Sequence, residues 1–205
     1  MKVLMLNGSP KANGNTALAL KEIGTVLEKE GVEVEIVQVG HLAVRGCVAC
    51  LSCRKTGKCA IDDIVNELAE KLKEADGMVV ASPVYYAAAN STLTAVLDRL
   101  FYSSSFDKRM KVGASVAVAR RGGTTATFDQ LNKYFAICGM PIATSQYWNI
   151  AHGGAPGEVT QDGEGMQTMR TLGANMAFLM KSIALGKEAF GIPETEAPIR
   201  TNFVR

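Results

Sequence analysis

The segment "KVLMLNGSPKANGNT", residues 2–16, joins a short apolar run to a loop of small and polar residues. The run Lys2 to Leu6 has the length and composition of a buried strand, and Asn-Gly-Ser-Pro marks the turn that ends it. After the loop, apolar residues recur at helical spacing, and Gly31 is placed to close a helix. The segment therefore predicts a strand, a loop and a helix in that order.

Strand and helix patterns alternate along the remaining chain, which predicts an α/β fold with a five-stranded parallel sheet and helices on both faces. Repeats, linkers and low-complexity segments are not visible, so we predict a single domain over residues 1–205. It carries a cysteine-rich insertion at about residues 45–60 and a C-terminal helix and tail from about residue 163. After the first strand, the predicted strands are Val32–Val39, "GMVVASP" (77–83), "KVGASVAVA" (111–119) and "MPIATSQYW" (140–148); helices are predicted from Asp62 or Asp63, over Asn90–Tyr102 and Thr125–Cys138, and up to about Leu185.

Composition places the chain among ordinary globular proteins, with 205 residues, 47% hydrophobic and 20% charged residues, and a net charge of +2. This charge leaves no basic footprint for a nucleic acid. The apolar runs are too short for a membrane helix, and the first one ends too early for a signal peptide. We therefore expect a cytoplasmic protein without a nucleic-acid or membrane partner, and in that compartment clustered cysteines do redox or metal chemistry more often than structural disulfide bonding.

The loop "NGSPKANGNT" (7–16) is suited to an anion, because it offers small hydrogen-bond donors and opens a helix. It lacks the Gly-Lys-Ser/Thr ending of a Walker loop and the G-x-G-x-x-G pattern of a dinucleotide site. A single terminal phosphate held by Ser9, Asn15 and Thr16 fits better, which indicates a mononucleotide. The alternative is an Asn/Gly turn in which Asn15 is only a helix cap.

Two further loops follow the third and fourth predicted strands and should meet the first at one edge of the sheet. In "SPVYY" (82–86), Pro83 stiffens the turn, and backbone N–H groups at Val84 to Tyr86 could meet the carbonyls of a flavin ring. In "ARRGG" (119–123), Arg120 or Arg121 could offset negative charge on a reduced flavin or on a nicotinamide dinucleotide phosphate. The alternatives are tyrosines in the core or at an interface and a solvated arginine pair.

Four of the five cysteines fall in "CVACLSCRKTGKC" (47–59) with the spacing C-x2-C-x2-C-x5-C. Four thiolates suit one [4Fe–4S] cluster, with Cys47, Cys50, Cys53 and Cys59 as its ligands. Free thiols or a local disulfide without metal are one alternative, and a zinc site is another, although zinc sites usually pair two C-x2-C hooks across a longer gap.

Taken together, the three loops, the cysteine run, "LDR" (97–99) and "EGMQTMR" (164–170) resemble the flavodoxin-like NAD(P)H-dependent FMN reductase superfamily, and within it the iron–sulfur flavoproteins. The resemblance implies a flavodoxin-like three-layer sandwich with strand order 2-1-3-4-5, FMN at the loop edge, and a homo-oligomer, dimer or tetramer. We interpret Asp98-Arg99 as a helix-end pair rather than a catalytic one. By motif match, the residues expected to bind FMN are Ser9, Lys11, Asn13, Asn15 and Thr16 at the phosphate and ribityl chain, Pro83, Val84, Tyr85 and Tyr86 along the ring, and Gly122 and Gly123 on its far side.

These observations predict an FMN-dependent oxidoreductase that passes electrons between FMN and a [4Fe–4S] cluster, with NAD(P)H as a candidate donor and a redox protein as a candidate partner. One alternative is a cluster-free NAD(P)H:FMN or quinone reductase. Others are a flavodoxin-like electron carrier without its own substrate, and a zinc-stabilised interaction module. Flavodoxin-like electron carriers tend to be markedly acidic, so the net charge of +2 argues mildly against the electron carrier.

Overall fold

Strands and helices alternate along the chain in the computed structural model, which describes residues 1–201 and residue 203. The strands are β1 (Lys2–Asn7), β2 (Glu33–Gln38), β3 (Gly77–Tyr85), β4 (Ala88–Ala89), β5 (Val112–Ala119) and β6 (Ile150–His152). The helices are α1 (Asn15–Lys29), α2 (Cys53–Thr56), α3 (Ile64–Glu74), α4 (Ser91–Ser103), α5 (Thr124–Ala136) and α6 (Gly163–Phe190), with a 3-10 turn at Glu158–Gln161.

The sheet has the order β2-β1-β3-β5-β6, and every neighbouring pair along this path is parallel. The short β4 lies off the path and pairs antiparallel with the end of β3. Without β4, the order is 2-1-3-4-5, as predicted. The parallel sheet with helices on both faces is likewise confirmed.

Alternation of side chains along the strands divides the core into two layers. In β1, Val3 and Met5 face the layer formed with α1 and α6, whereas Leu4 and Leu6 face the layer formed with α3, α4 and α5. Strand β5 is buried along its whole length, as a central strand covered on both faces must be. None of the helices in residues 1–201 combines the length and apolar character needed to cross a membrane.

The fifth predicted strand was placed too early in the chain. In residues 140–148, Ile142 makes an isolated bridge to Gly113, and the strand itself forms at Ile150–His152. The Ser145 hydroxyl hydrogen-bonds the Tyr147 carbonyl at 2.6 Å and the Asn149 side chain at 2.8 Å. Such local bonds hold the backbone in a turn and compete with the sheet ladder, so pairing resumes only after Asn149.

The carboxyl edge of the sheet is tied together by a buried asparagine that precedes α4. The Asn90 side chain donates to the carbonyl of Gly8 at 2.6 Å and of Gly40 at 3.3 Å, while its backbone N–H donates to the Ser82 hydroxyl. The Gly8 N–H in turn donates to the Ala81 carbonyl at 2.8 Å. The ends of β1, β2 and β3 are therefore held in contact at one point.

This contact leaves no space for a side chain at Gly40. A Cβ atom added there would overlap the backbone of Gly8 and Ser9. The loop that begins at Gly8 thus packs directly on the backbone of Gly40, and no side chain lies between them.

Replacing Gly40 by alanine should therefore lower the free energy of unfolding by about 1–3 kcal/mol, because the backbone of the neighbouring loop must shift. Gly186→Ala is the matched control, since an added Cβ at that position of α6 meets nothing within 4 Å. It should leave stability unchanged or raise it by about 0.5–1 kcal/mol through helix propensity. Urea denaturation of both variants measures the difference, and equal effects would contradict the close packing described here.

Candidate functional site

Three loops that follow β1, β3 and β5 meet at the carboxyl edge of the sheet, as the parallel topology requires. They are the segment Gly8–Gly14, the hairpin between β3 and β4, and the segment Arg120–Gly123. The residues predicted to bind FMN lie on these segments, at the end of β3 or on the first turn of α1.

The loop Gly8–Gly14 is fixed by hydrogen bonds from its backbone N–H groups to the side chains of Asn7 and Ser9, and it leaves the start of α1 open. The Ser9 N–H donates to the Asn7 side chain at 3.0 Å, and the Lys11 N–H donates to the Ser9 hydroxyl at 3.1 Å. Among the described residues, no side chain caps α1, whose first turn also carries no acidic residue. Free N–H groups at a helix start attract anions. Ser9 and Thr16 are buried at this opening, whereas Lys11 and Asn13 are exposed beside it.

Asn15 is the first residue of α1 and bonds to a distant loop. The N-cap position of α1 is Gly14, so Asn15 is not the cap. Its amide donates to the Ala155 carbonyl at 2.9 Å and accepts the N–H groups of Gly157 at 2.9 Å and Val159 at 3.3 Å. Asn15 therefore binds the loop before α6 to the start of α1, and that contact lies 140 or more residues away in sequence.

The loop held by Asn15 is closed on itself by Glu158. One carboxylate oxygen of Glu158 accepts the N–H groups of Ala155 at 2.7 Å and Gly154 at 2.8 Å, and these bonds lower the pKa of Glu158. A Cβ added at Gly154 would touch the side-chain stem of Arg120 at 3.2 Å. The loop before α6 thus contacts both the start of α1 and Arg120.

The segment "SPVYY" forms a hairpin rather than the open turn expected. Strand β3 continues through Tyr85, where Val84 pairs with Ala89 and Tyr85 pairs with Ala88. Tyr86 and Ala87 make the turn with φ of 49° and 59°, the left-handed conformation that two-residue hairpins require. Tyr86 is fully exposed at the tip, and Tyr85 is half exposed.

The hairpin is packed against the third loop through a glycine. Gly123 has φ +93°, and a Cβ there would come within 2.8 Å of the Ala87 backbone. Gly122 has open space around it. The hairpin and the Arg120–Gly123 loop therefore form two adjoining walls at the sheet edge.

The cysteine segment is irregular except for the single turn α2, and its four cysteines line one cavity. Cys47, Cys50, Cys53 and Cys59 share this cavity with Arg99 and residues of α4. None of the five cysteines forms a disulfide in the described part of the chain. Within residues 1–201, no group of three or more His, Cys, Asp or Glu side chains is arranged to hold a single metal ion.

Cys50 stands out within the segment because the residues on both sides of it have left-handed backbones. Ala49 and Leu51 have φ of 51° and 59°. Alanine and leucine rarely adopt this conformation, and where the surrounding structure enforces it, strain of order 1–3 kcal/mol often marks a functional position. The backbone N–H and hydroxyl of Ser52 lower the pKa of Cys50.

Arg99 is the residue at this site that sequence reasoning missed. It was interpreted as part of a helix-end pair, but it lies inside α4, and its side chain is 1% exposed. The guanidinium contacts the Cys59 sulfur and forms a two-pronged ion pair with Asp63. The sequence carried one signal of this burial. Arg99 lies three residues after Val96 and four before Ser103, and therefore on the same buried face of α4.

Comparison with known proteins identifies a family for this chain. Residues 1–155 match the model of the family described as NADPH-dependent FMN reductase. An iron–sulfur flavoprotein of Methanocaldococcus jannaschii is 36% identical over 191 residues, covering 89% of this chain and 99% of the relative. An iron–sulfur flavoprotein of Methanosarcina thermophila is 31% identical over 194 residues, covering 92% and 100% respectively.

Two solved structures show the same fold at low sequence identity. RosB, solved with 8-demethyl-8-formylriboflavin-5'-phosphate bound, has a TM-score of 0.71 and 19% identity, covering 100% of this chain and 92% of its own. A flavodoxin from the domain Archaea has a TM-score of 0.60 and 17% identity, covering 88% and 99%. The fold is therefore flavodoxin-like. The match over residues 1–155 and the two flavoprotein relatives show that this chain belongs to the NADPH-dependent FMN reductase family, as a flavin-dependent oxidoreductase of the iron–sulfur flavoprotein type.

Proposed function

We propose that this FMN oxidoreductase passes electrons between FMN, bound at the loop edge of the sheet, and a [4Fe–4S] cluster held by Cys47, Cys50, Cys53 and Cys59. The observation that carries the proposal is the single cavity lined by four free thiols. When bound, FMN supplies one- and two-electron redox chemistry and the cluster supplies one-electron transfer.

At the phosphate end of FMN, the proposed contacts are Ser9, Lys11, Asn13 and Thr16 together with the N–H groups that open α1. The buried hydroxyls of Ser9 and Thr16 and the exposed Lys11 amine suit an anion that sits over the loop. Asn15 belongs to the site as the residue that ties down the loop before α6. In this proposal, four side chains contact the phosphate, and Asn15 holds the neighbouring loop in place.

At the ring end, the proposed contacts are the hairpin residues Pro83, Val84, Tyr85 and Tyr86 on one wall and Arg120, Gly122 and Gly123 on the other. The open space beside Gly122 and the close packing of Gly123 on the hairpin leave backbone, not side chains, along this wall. Arg120 is exposed there and can offset negative charge on a reduced flavin or on the phosphate of NADPH.

For the cluster, the chemistry of the donors fits. Four thiol sulfurs in one cavity match the ligand set of a [4Fe–4S] cluster, and each of its four irons takes one of them. In a cluster each sulfur would bind a different iron, so the four sulfurs would not need to converge on one point as the ligands of a single ion do. The absence of a site for a single ion in residues 1–201 is therefore compatible with a cluster.

Assembly into a homo-oligomer, dimer or tetramer, is also part of the proposal. Phe178, Leu185 and Phe190 project from α6 and are at least two-thirds exposed in the single chain. Large apolar side chains at this density along one helix are typical of an interface between subunits. A redox protein is the proposed partner for electron exchange.

Thr16→Val tests the phosphate end. Removing the hydroxyl should weaken FMN binding roughly 10- to 100-fold, because a hydrogen bond to a charged group contributes about 1.5–3 kcal/mol. Thr25→Val is the control, since Thr25 lies on the same helix but its hydroxyl bonds only the Lys21 carbonyl at 2.9 Å. Quenching of FMN fluorescence on titration measures both affinities, and an equal effect of the two substitutions would contradict the assignment.

Cys59→Ser tests the cluster in protein prepared without oxygen. The variant should lose most of the iron that the unmodified protein holds, about four atoms per chain, while it retains FMN. Cys138→Ser, which changes the thiol outside the run, should retain both. Iron, sulfide and zinc analysis distinguishes the alternatives: one zinc per chain indicates a zinc site, and no metal indicates free thiols.

Reduction of the bound flavin by nicotinamides separates the enzyme from an electron carrier. Mixed anaerobically with excess NADPH or NADH, the protein should lose its flavin absorption within the time of a steady-state assay. Arg120→Ala should raise the KM for NADPH more than the KM for NADH, because only NADPH carries the additional phosphate. No reduction by either nicotinamide would favour a carrier that takes its electrons from another protein.

A further inference from the structure

A single buried arginine joins the two ends of the cysteine segment to the core. Arg99 donates from Nη1 to the Arg45 carbonyl at 3.1 Å and from Nη2 to the Ile61 carbonyl at 2.9 Å. Arg45 lies just before Cys47 and Ile61 just after Cys59. The backbone on both sides of the cysteine run is therefore bound by the same guanidinium.

The same guanidinium holds the last cysteine of the run through its sulfur. Nε and Nη2 of Arg99 lie 3.3 and 3.2 Å from Cys59 Sγ. The backbone of Cys59 is fixed separately, since its N–H donates to Asn66 Oδ1 at 3.0 Å and its carbonyl accepts from Asn66 Nδ2 at 3.1 Å. Cys59 is thus held at both its backbone and its sulfur.

The charge of Arg99 is compensated where it is buried. Asp63 accepts from Nη1 at 2.6 Å and from Nη2 at 2.8 Å, and its other role is to cap α3 through the Val65 N–H. A guanidinium has five N–H donors in a fixed plane, and these reach two carbonyls, one carboxylate and one sulfur, with Nη2 sharing its two N–H groups among Cys59, Ile61 and Asp63. A lysine at the same position would keep the charge but could not reach all four.

We propose that Arg99 is the positioning residue of the cluster site, which fixes the Cys59 sulfur by two N–H···S hydrogen bonds and by them raises the reduction potential of the cluster. The inference rests on the proposed [4Fe–4S] function and deepens it. Hydrogen bonds to ligand sulfurs and nearby charge are among the factors that set the potential of iron–sulfur clusters. Asp63 acts in the opposite direction, because its negative charge offsets that of the guanidinium.

Three full-length variants separate these roles. Arg99→Lys keeps the charge but loses the fork of donors. Asp63→Asn removes the opposing negative charge and keeps the cap of α3, because asparagine caps helices as well as aspartate does. Arg54→Lys is the matched control, since Arg54 lies within the run but is exposed and contacts the Tyr102 hydroxyl rather than a sulfur.

The first measurement is hydrogen exchange of the peptide 59–66 in FMN-loaded protein prepared without iron. Arg99→Lys should speed the exchange of this peptide about tenfold, because the anchor of the segment is lost. Arg54→Lys should leave it unchanged. Bound FMN in each variant shows that the remaining fold is intact.

The second measurement is the midpoint potential of the cluster in anaerobically reconstituted protein, followed by electron paramagnetic resonance. Arg99→Lys should shift the potential to more negative values and Asp63→Asn to more positive values, while Arg54→Lys should not move it. Shifts of opposite sign are not expected from a purely structural role.

Faster exchange with unchanged potentials in both variants would overturn the proposal, because Arg99 would then only hold the segment in place. Arg99→Lys behaving like Arg54→Lys in both measurements would overturn it as well. Absence of iron and sulfide from the unmodified protein would contradict the proposed function instead. The exchange rates, which need no iron, would still decide whether Arg99 positions Cys59.

Discussion

Parallel strands end at one edge of their sheet, and this constraint places the functional parts of the molecule together. The loops after the neighbouring strands β1, β3 and β5 must therefore meet at this edge. The buried Asn90 amide fixes the edge by binding the carbonyls of Gly8 and Gly40. The start of α1, the tyrosine hairpin and the arginine loop are consequences of this geometry, and the proposed FMN site is built on them.

Much of this arrangement could be predicted from the sequence, because it depends on local patterns. The run Lys2–Leu6, the loop after it and the alternation of later elements indicated a parallel sheet with helices on both faces, and the strand order came from the family resemblance. The fifth strand was misplaced because residues 140–148 have strand-like composition, whereas side-chain bonds of Ser145 and Asn149 turn the backbone. The hydrogen bonds of Asn15 could not be predicted for a related reason, since its partners Ala155 and Gly157 are remote in sequence.

The cysteine segment shows the same limit more sharply. Its spacing indicated four ligands, but nothing in the spacing shows what holds them against the core. Arg99 holds the segment against the core through hydrogen bonds to residues from Arg45 to Asp63. These bonds form only when α4 packs beside α3. A buried charge is unfavourable unless it is paired, and the Asp63 carboxylate supplies the paired charge for this arginine.

In the proposed function, one chain carries both a flavin and an iron–sulfur cluster. The most direct measurement is the visible absorption spectrum of the unmodified protein, purified without oxygen and reduced stepwise with dithionite. The account predicts flavin bands together with a broad iron–sulfur absorption, and both should bleach on reduction. A flavin spectrum alone, with no broad absorption and no acid-labile sulfide, would contradict it.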